Sequence, residues 1–177
     1  MNCWHVGIIT YWVEMSYRER VMVERQTAER VDCIHLTDHP EAKKYPKWLH
    51  EIAKNLSTQG QHSFAIVLAH TACELAVEQG LTSIFIKKKL TKFRDIIVSK
   101  STSYNIAAER IHKLYIALTD DSRIQCQDYF WPEFKKSVER RNDVVHRGKM
   151  FDRENAKKSL DATEALIAYL DQKFSTS

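Results

Sequence analysis

The chain has 177 residues, 44% hydrophobic and 28% charged, with a formal net charge of +4. That length suits one globular domain with a small extension, and the composition excludes a disordered chain. The mild positive charge permits an anionic partner without demanding one. With only 4 Gly and 3 Pro there is little punctuation, so long helices are expected.

Residues 3 to 36 differ from the rest. Trp4 to Val13 is rich in aromatic and β-branched residues, which favour strands. Val21 to Gln26 and Arg30 to Leu36 alternate apolar and polar positions with period two. A small antiparallel hairpin or meander is expected in residues 1–40. An amphipathic helix over 15–32 competes with it, since MSYRERVMVERQTAER also holds good helix formers. His35 and His39 lie at i, i+4, but Pro40 follows and no third ligand is evident, so no metal site is expected. Cys3, Cys33, Cys73 and Cys126 form no CxxC pair, which argues against a zinc ribbon or a redox pair.

A polar linker from Thr37 to Lys44 leads into a predicted helical domain over 41–177. Pro46 suits a first turn, and Leu49, Ile52 and Leu56 give an amphipathic helix ended by Gly60. Gln61 to Gln79 is the most apolar segment. Phe64, Leu68, Thr71 and Leu75 form one stripe; Ala65, Ala69, Ala72 and Ala76 form a second, which permits close helix approach. Such a helix is expected at the centre of a bundle. His70 and Glu74 share a face of it. They are either a satisfied polar pair at the core edge or a support for Arg141. Gly80 marks a break or a close packing point.

Ile86, Leu90, Phe93 and Ile97 predict another helix, ringed by Lys87, Lys88, Lys89, Lys92 and Arg94. A charge run of this kind is a solvated face or a phosphate contact. Ser99 to Ser103 reads as a loop, and Ala107, Ile111, Leu114 and Leu118 as a further helix. Asp128 or Trp131 starts the next, with Pro132 in its first turn, running to His146 or Arg147 before Gly148. Its apolar stripe is Phe130, Phe134 and Val138, then Arg141, then Val145. Asp152 is a good N-cap for the last helix, whose stripe runs from Ala156 through Leu160, Thr163, Ile167 and Leu170 to Phe174. The chain begins without a basic n-region, and no apolar run reaches the ~18 residues of a bilayer span. A soluble, cytoplasmic protein with no membrane partner is expected. No phosphate-binding glycine loop, HExxH or GxSxG occurs.

Arg141, Asn142 and His146 occupy the end of a long helix just before the last one. An Arg, a polar neighbour and a His after three further residues resemble the motif of the HEPN superfamily. The helix pair around HTACE (70–74) and the pair around RNDVVHRG are similar to that family's first two and last two helices, over residues 43–174. The resemblance implies an antiparallel HEPN-like helical bundle and a homodimer whose motif residues meet at the interface. It also implies a metal-independent endoribonuclease without a cofactor. Arg141, Asn142 and His146 would be catalytic, with Glu74, His70 and Arg140 in support. Arg147, Lys149, Lys87, Lys88 and Lys89 are candidate RNA contacts. A toxin or defence role, with an antitoxin or regulatory partner, follows from the resemblance alone. So does the alternative, a non-catalytic nucleotide-binding or protein-interaction module. One departure counts against an antitoxin that modifies the toxin. The Tyr that such toxins often carry two residues after the motif His is absent, and Arg147 and Gly148 follow His146 instead.

The chemistry of those residues also stands by itself. An imidazole titrates near neutrality and can move protons. A guanidinium offers a forked donor to phosphate. Arg141 and His146 lie about 140° apart on an ideal helix, so the long Arg side chain has to bridge the angle. The competing structural role for Arg141 is an ion pair with Glu74 or Glu139. For His146 it is a favourable position at the negative end of the helix dipole.

Overall fold

The computed structural model describes residues 44–98 and 103–176. The chain there is mainly helical. The described residues form six α-helices: α1 Tyr45–Thr58, α2 His62–Lys87, α3 Thr91–Val98, α4 Glu109–Thr119, α5 Trp131–Arg147 and α6 Arg153–Thr176. A short 3-10 turn, Ile124–Cys126, precedes α5. The hairpin expected in residues 1–40, together with His35 and His39, lies outside the described residues, as does most of the Ser99–Ser103 loop.

Side-chain contacts fix the directions of the four long helices. Ser63 at the start of α2 meets Phe151 just before α6, and Lys87 at its end meets the Phe174 carbonyl. These two helices therefore run the same way. His50 of α1 bonds the Leu160 carbonyl and Thr163 of α6, while Lys47 pairs with Asp171 further on, so α1 runs against them. Arg140 of α5 reaches Asn155 and Ser159 of α6, while Phe130 just before α5 meets Tyr169 further on, so α5 runs against them too. The result is a helical bundle with α2 at its centre.

The small-residue stripe explains that central position. Ala65, Ala69, Ala72 and Ala76 are all buried, and Ala69 packs with Ala53 of α1 and Leu160 of α6. Alanines let helix backbones approach closely at no cost in side-chain entropy. The stripe Phe64, Leu68, Thr71 and Leu75 does not form the buried face: Phe64 is 59% exposed and Thr71 is exposed. By length and composition α2 alone among the described helices could cross a membrane, contrary to the expectation that no segment would. Within the bundle, 56% of its apolar window is buried against protein.

Gly80 does not break α2. A Cβ built there would lie 1.8 Å from a ring carbon of Phe174 on α6. Gly80→Ala would gain about 1 kcal/mol of helix propensity and lose about 1–3 kcal/mol to overpacking. A net loss of about 1 kcal/mol in chemical denaturation is expected, with the Phe174 ring displaced.

The helix predicted through Ile86 to Ile97 is split. Lys89 adopts a left-handed φ of 58°, and Leu90 N–H donates to the Phe85 carbonyl at 2.8 Å, closing α2. Ile86 and Phe93 face outward. The other helix ends follow local chemistry. Gly60, at φ 81°, closes α1 as Gln61 N–H bonds the Leu56 carbonyl and Gly60 N–H bonds that of Ser57. Asp152 Oδ1 caps α6 through Asn155 N–H at 2.8 Å.

The end of the bundle away from Gly60 is pinned by a buried carboxylate. Asp121 Oδ2 accepts from the hydroxyls of Tyr115 on α4 and Tyr169 on α6, each at 2.7 Å. Lys173 lies 3.6 Å from Oδ1. Burial alone would raise the Asp121 carboxyl, but the two phenols and Lys173 outweigh it and hold its pKa below the usual value. Burial and the hydrogen bonds to this carboxylate push both phenols above their ordinary range.

Candidate functional site

The last two turns of α5 carry its stripe out of the core. Trp131 and Phe134 are buried, Val138 is half-buried, and Val145 is 48% exposed. Arg141 falls at this transition, half-buried, and His146 is exposed in the final turn. Gly148 ends the helix at φ 63°, with its N–H on the Val144 carbonyl. Phe151 N–H then donates to Ser63 Oγ at 2.8 Å, tying the connection to the start of α2.

The two adjacent arginines have opposite fates. Arg140 is 12% exposed and fully engaged: Nη2 pairs with Glu133 at 2.7 Å, Nε with Asn155 at 3.2 Å and Nη1 with Ser159 at 3.1 Å. Burial would raise the Glu133 carboxyl, yet the bond and charge of Arg140, with Lys136, keep it below its usual value. Arg140 is thus a clamp between α5 and α6. Glu133 lies two turns before it on one face of α5. That spacing was legible beforehand, but its partners on α6 were not.

Arg141 makes one side-chain hydrogen bond among the described residues, from Nη1 to Asn142 Oδ1 at 3.2 Å. Its Nε is buried without a partner. The ion pair with Glu74, one of the competing structural roles for Arg141, is not formed. Glu74 instead accepts from the Ser103 hydroxyl and lies 3.9 Å from His70 Nε2. Burial, with Arg141 adding to it, lowers the His70 pKa against the opposing charge of Glu74.

Arg147 and Lys149 flank His146, but both are drawn to Asp143, at 2.7 and 3.3 Å. Lys149 also lies 4.9 Å from the centre of the Phe151 ring. Lys87, Lys88 and Lys89 are not part of this cluster. Lys87 stands 24 residues beyond Ser63 on α2, roughly 36 Å at about 1.5 Å per residue. Three exposed apolar side chains belong to this end of the bundle: Val145 in the last turn of α5, Met150 (75%) in the connection after it and Phe64 (59%) in the first turn of α2.

A second polar group lies between α1 and α6. A ring nitrogen of His50 and carboxylate oxygens of Glu51 and Glu164 fall within 4.8 Å of one another. Metal chemistry would suit that set, but Lys54 already supplies the cation, 3.0 Å from Glu51 and 2.7 Å from Glu164.

No family model matches the chain, and no curated protein or solved structure gives a significant match to it.

Proposed function

We propose that this protein is a metal-independent endoribonuclease of HEPN type, acting as a homodimer. One observation supports the reading: Arg141, Asn142 and His146 all fall in the last two turns of α5, where its apolar stripe leaves the core. Arg141 keeps its charge unpaired by any described carboxylate, whereas neighbouring Arg140 is fully committed to holding the bundle.

Cleavage without a metal requires proton transfer at both ends of the scissile phosphate. His146 takes the proton of the ribose 2′-hydroxyl, and that oxygen attacks phosphorus. Arg141 stabilises the extra negative charge of the pentacovalent phosphorane. The P–O5′ bond breaks as the leaving oxygen gains a proton from a second imidazole. The products are a 2′,3′-cyclic phosphate and a 5′-hydroxyl. One chain has one His146, so the second comes from a twofold partner. Phe64, Val145 and Met150, exposed at this end of the bundle, offer apolar side chains to that partner. A cytoplasmic toxin or defence effector, restrained by an antitoxin or regulatory protein, is the setting we infer from the family resemblance.

The test is incubation of RNA with purified protein in EDTA, followed by end-group analysis. Cyclic phosphate ends are expected with wild type and not with His146→Ala. Equal cutting by the variant would overturn the proposal. Saturable nucleotide binding without cleavage would instead favour a non-catalytic module.

A further inference from the structure

Buried polar atoms on α2 and α5 that lack a hydrogen-bond partner among the described residues include His70 Nδ1, Ser137 Oγ and Arg141 Nε. Orphans of this kind are uncommon and call for a cause. Two of them are complementary. Arg141 Nε–H can only donate, and an imidazole nitrogen accepts when the proton sits on the other nitrogen. In His70 that other nitrogen is Nε2, which faces Glu74 Oε1 at 3.9 Å. The carboxylate favours the proton on Nε2 and so leaves the lone pair on Nδ1. Glu74 is held in turn by Ser103.

His70 is rigidly placed. It is 2% exposed and stacked on Phe134, with ring centroids 5.9 Å apart and planes 15° from parallel. Phe134 and Arg141 lie two turns apart on the same face of α5. The charge of Arg141 acts on the His70 ring, and burial keeps that ring neutral.

We propose that His70 is a positioning residue whose Nδ1 accepts the Arg141 Nε–H, with Glu74 fixing the tautomer, so that the guanidinium presents its Nη1–Nη2 edge outward to the scissile phosphate. A rotation of the Arg141 side chain closes the pair. This rests on the ribonuclease reading of Arg141 and His146. It also gives a reason for an imidazole between Glu74 and Arg141. A carboxylate bonded directly to the guanidinium would neutralise the charge that the phosphate needs. A neutral imidazole fixes the orientation and leaves the charge whole.

The experiment uses the full chain carrying His70→Phe or His70→Gln. Phenylalanine keeps the ring stack and removes the acceptor; glutamine restores an acceptor oxygen. The first readout is the Nε–H resonance of Arg141 in nitrogen-edited NMR, assigned by its loss in Arg141→Lys. Its exchange with water should be at least about tenfold faster in His70→Phe and slow again in His70→Gln. The second readout is RNA cleavage. His70→Phe should lower kcat by about 10- to 100-fold, the worth of a hydrogen bond to a charged group, with KM changed less than about threefold. His70→Gln should recover most of that loss. Should His70→Phe fail to fold, His70→Leu removes the same acceptor and supplies the comparison. Unchanged Nε–H exchange in a folded acceptor-free variant overturns the inference. Wild-type protein that leaves RNA intact defeats the ribonuclease reading instead, and the exchange measurement still decides the Arg141–His70 contact.

Discussion

Replacing His146 by alanine is expected to slow RNA cleavage by about 100- to 10,000-fold, the usual contribution of a positioned general acid or base. His146 is exposed at the end of α5 and its side chain makes no hydrogen bond among the described residues, so the fold should not suffer. Surface changes of this kind shift stability by no more than about 0.5 kcal/mol. A single-turnover rate measured beside a thermal unfolding curve separates the two effects. Arg141→Ala should cost about as much, and Arg141→Lys should recover only part of it. An ammonium keeps the charge but loses the planar fork that matches two phosphate oxygens. If Arg141 were only structural, Arg141→Lys would be nearly silent in cleavage. Arg140→Ala should do the reverse of His146→Ala, because it removes the bridge from α5 to Asn155 and Ser159 of α6 and the nearer of the two cations at Glu133.

Asp121→Asn is expected to cost about 2–4 kcal/mol of stability. The carboxylate takes two phenol hydrogen bonds on one oxygen, and an amide cannot offer two charged acceptors in its place. The effect should also depend on pH in a defined direction. The Asp121 pKa is lower in the folded chain than in the unfolded one. Its contribution is therefore fully present above the unfolded value of about 3.9, and is lost as pH falls through the folded value. Denaturant titrations should show wild type losing stability more steeply than Asp121→Asn as pH falls below about 4. Parallel curves would mean that the two tyrosines contribute through packing alone.

Much of the helical frame was legible in the chain. Pro46, Gly60, Pro132, Gly148 and Asp152 each mark a helix end for a local steric or hydrogen-bonding reason, and each stands where the helix indeed begins or ends. The exit of the α5 stripe at Arg141 could likewise be read from spacing alone. What escaped was set by distant partners. Both apolar stripes of α2 were legible, but not which one is buried: Phe64 faces outward and the alanines pack inward, where their small size lets the neighbouring backbones come close. Gly80 was ambiguous until Phe174, more than 90 residues later, was seen against it. The left-handed Lys89 has no sequence signature, because lysine is not a residue that favours that conformation. For the site, residue types were readable but allegiances were not. Nothing in ERRND says that the first arginine binds α6 and the second does not.

The pairing of Arg147 and Lys149 with Asp143 has a consequence for how this surface meets a polyanion. Cations already neutralised by a neighbouring carboxylate attract few additional phosphates, so little condensed salt is set free when a strand arrives. Long-range attraction would then be weak, and nonspecific adsorption to bulk nucleic acid correspondingly slight. Discrimination among strands would fall to shape, to the bases that fit between two copies of the chain, and to whatever competes with Asp143 for its two partners.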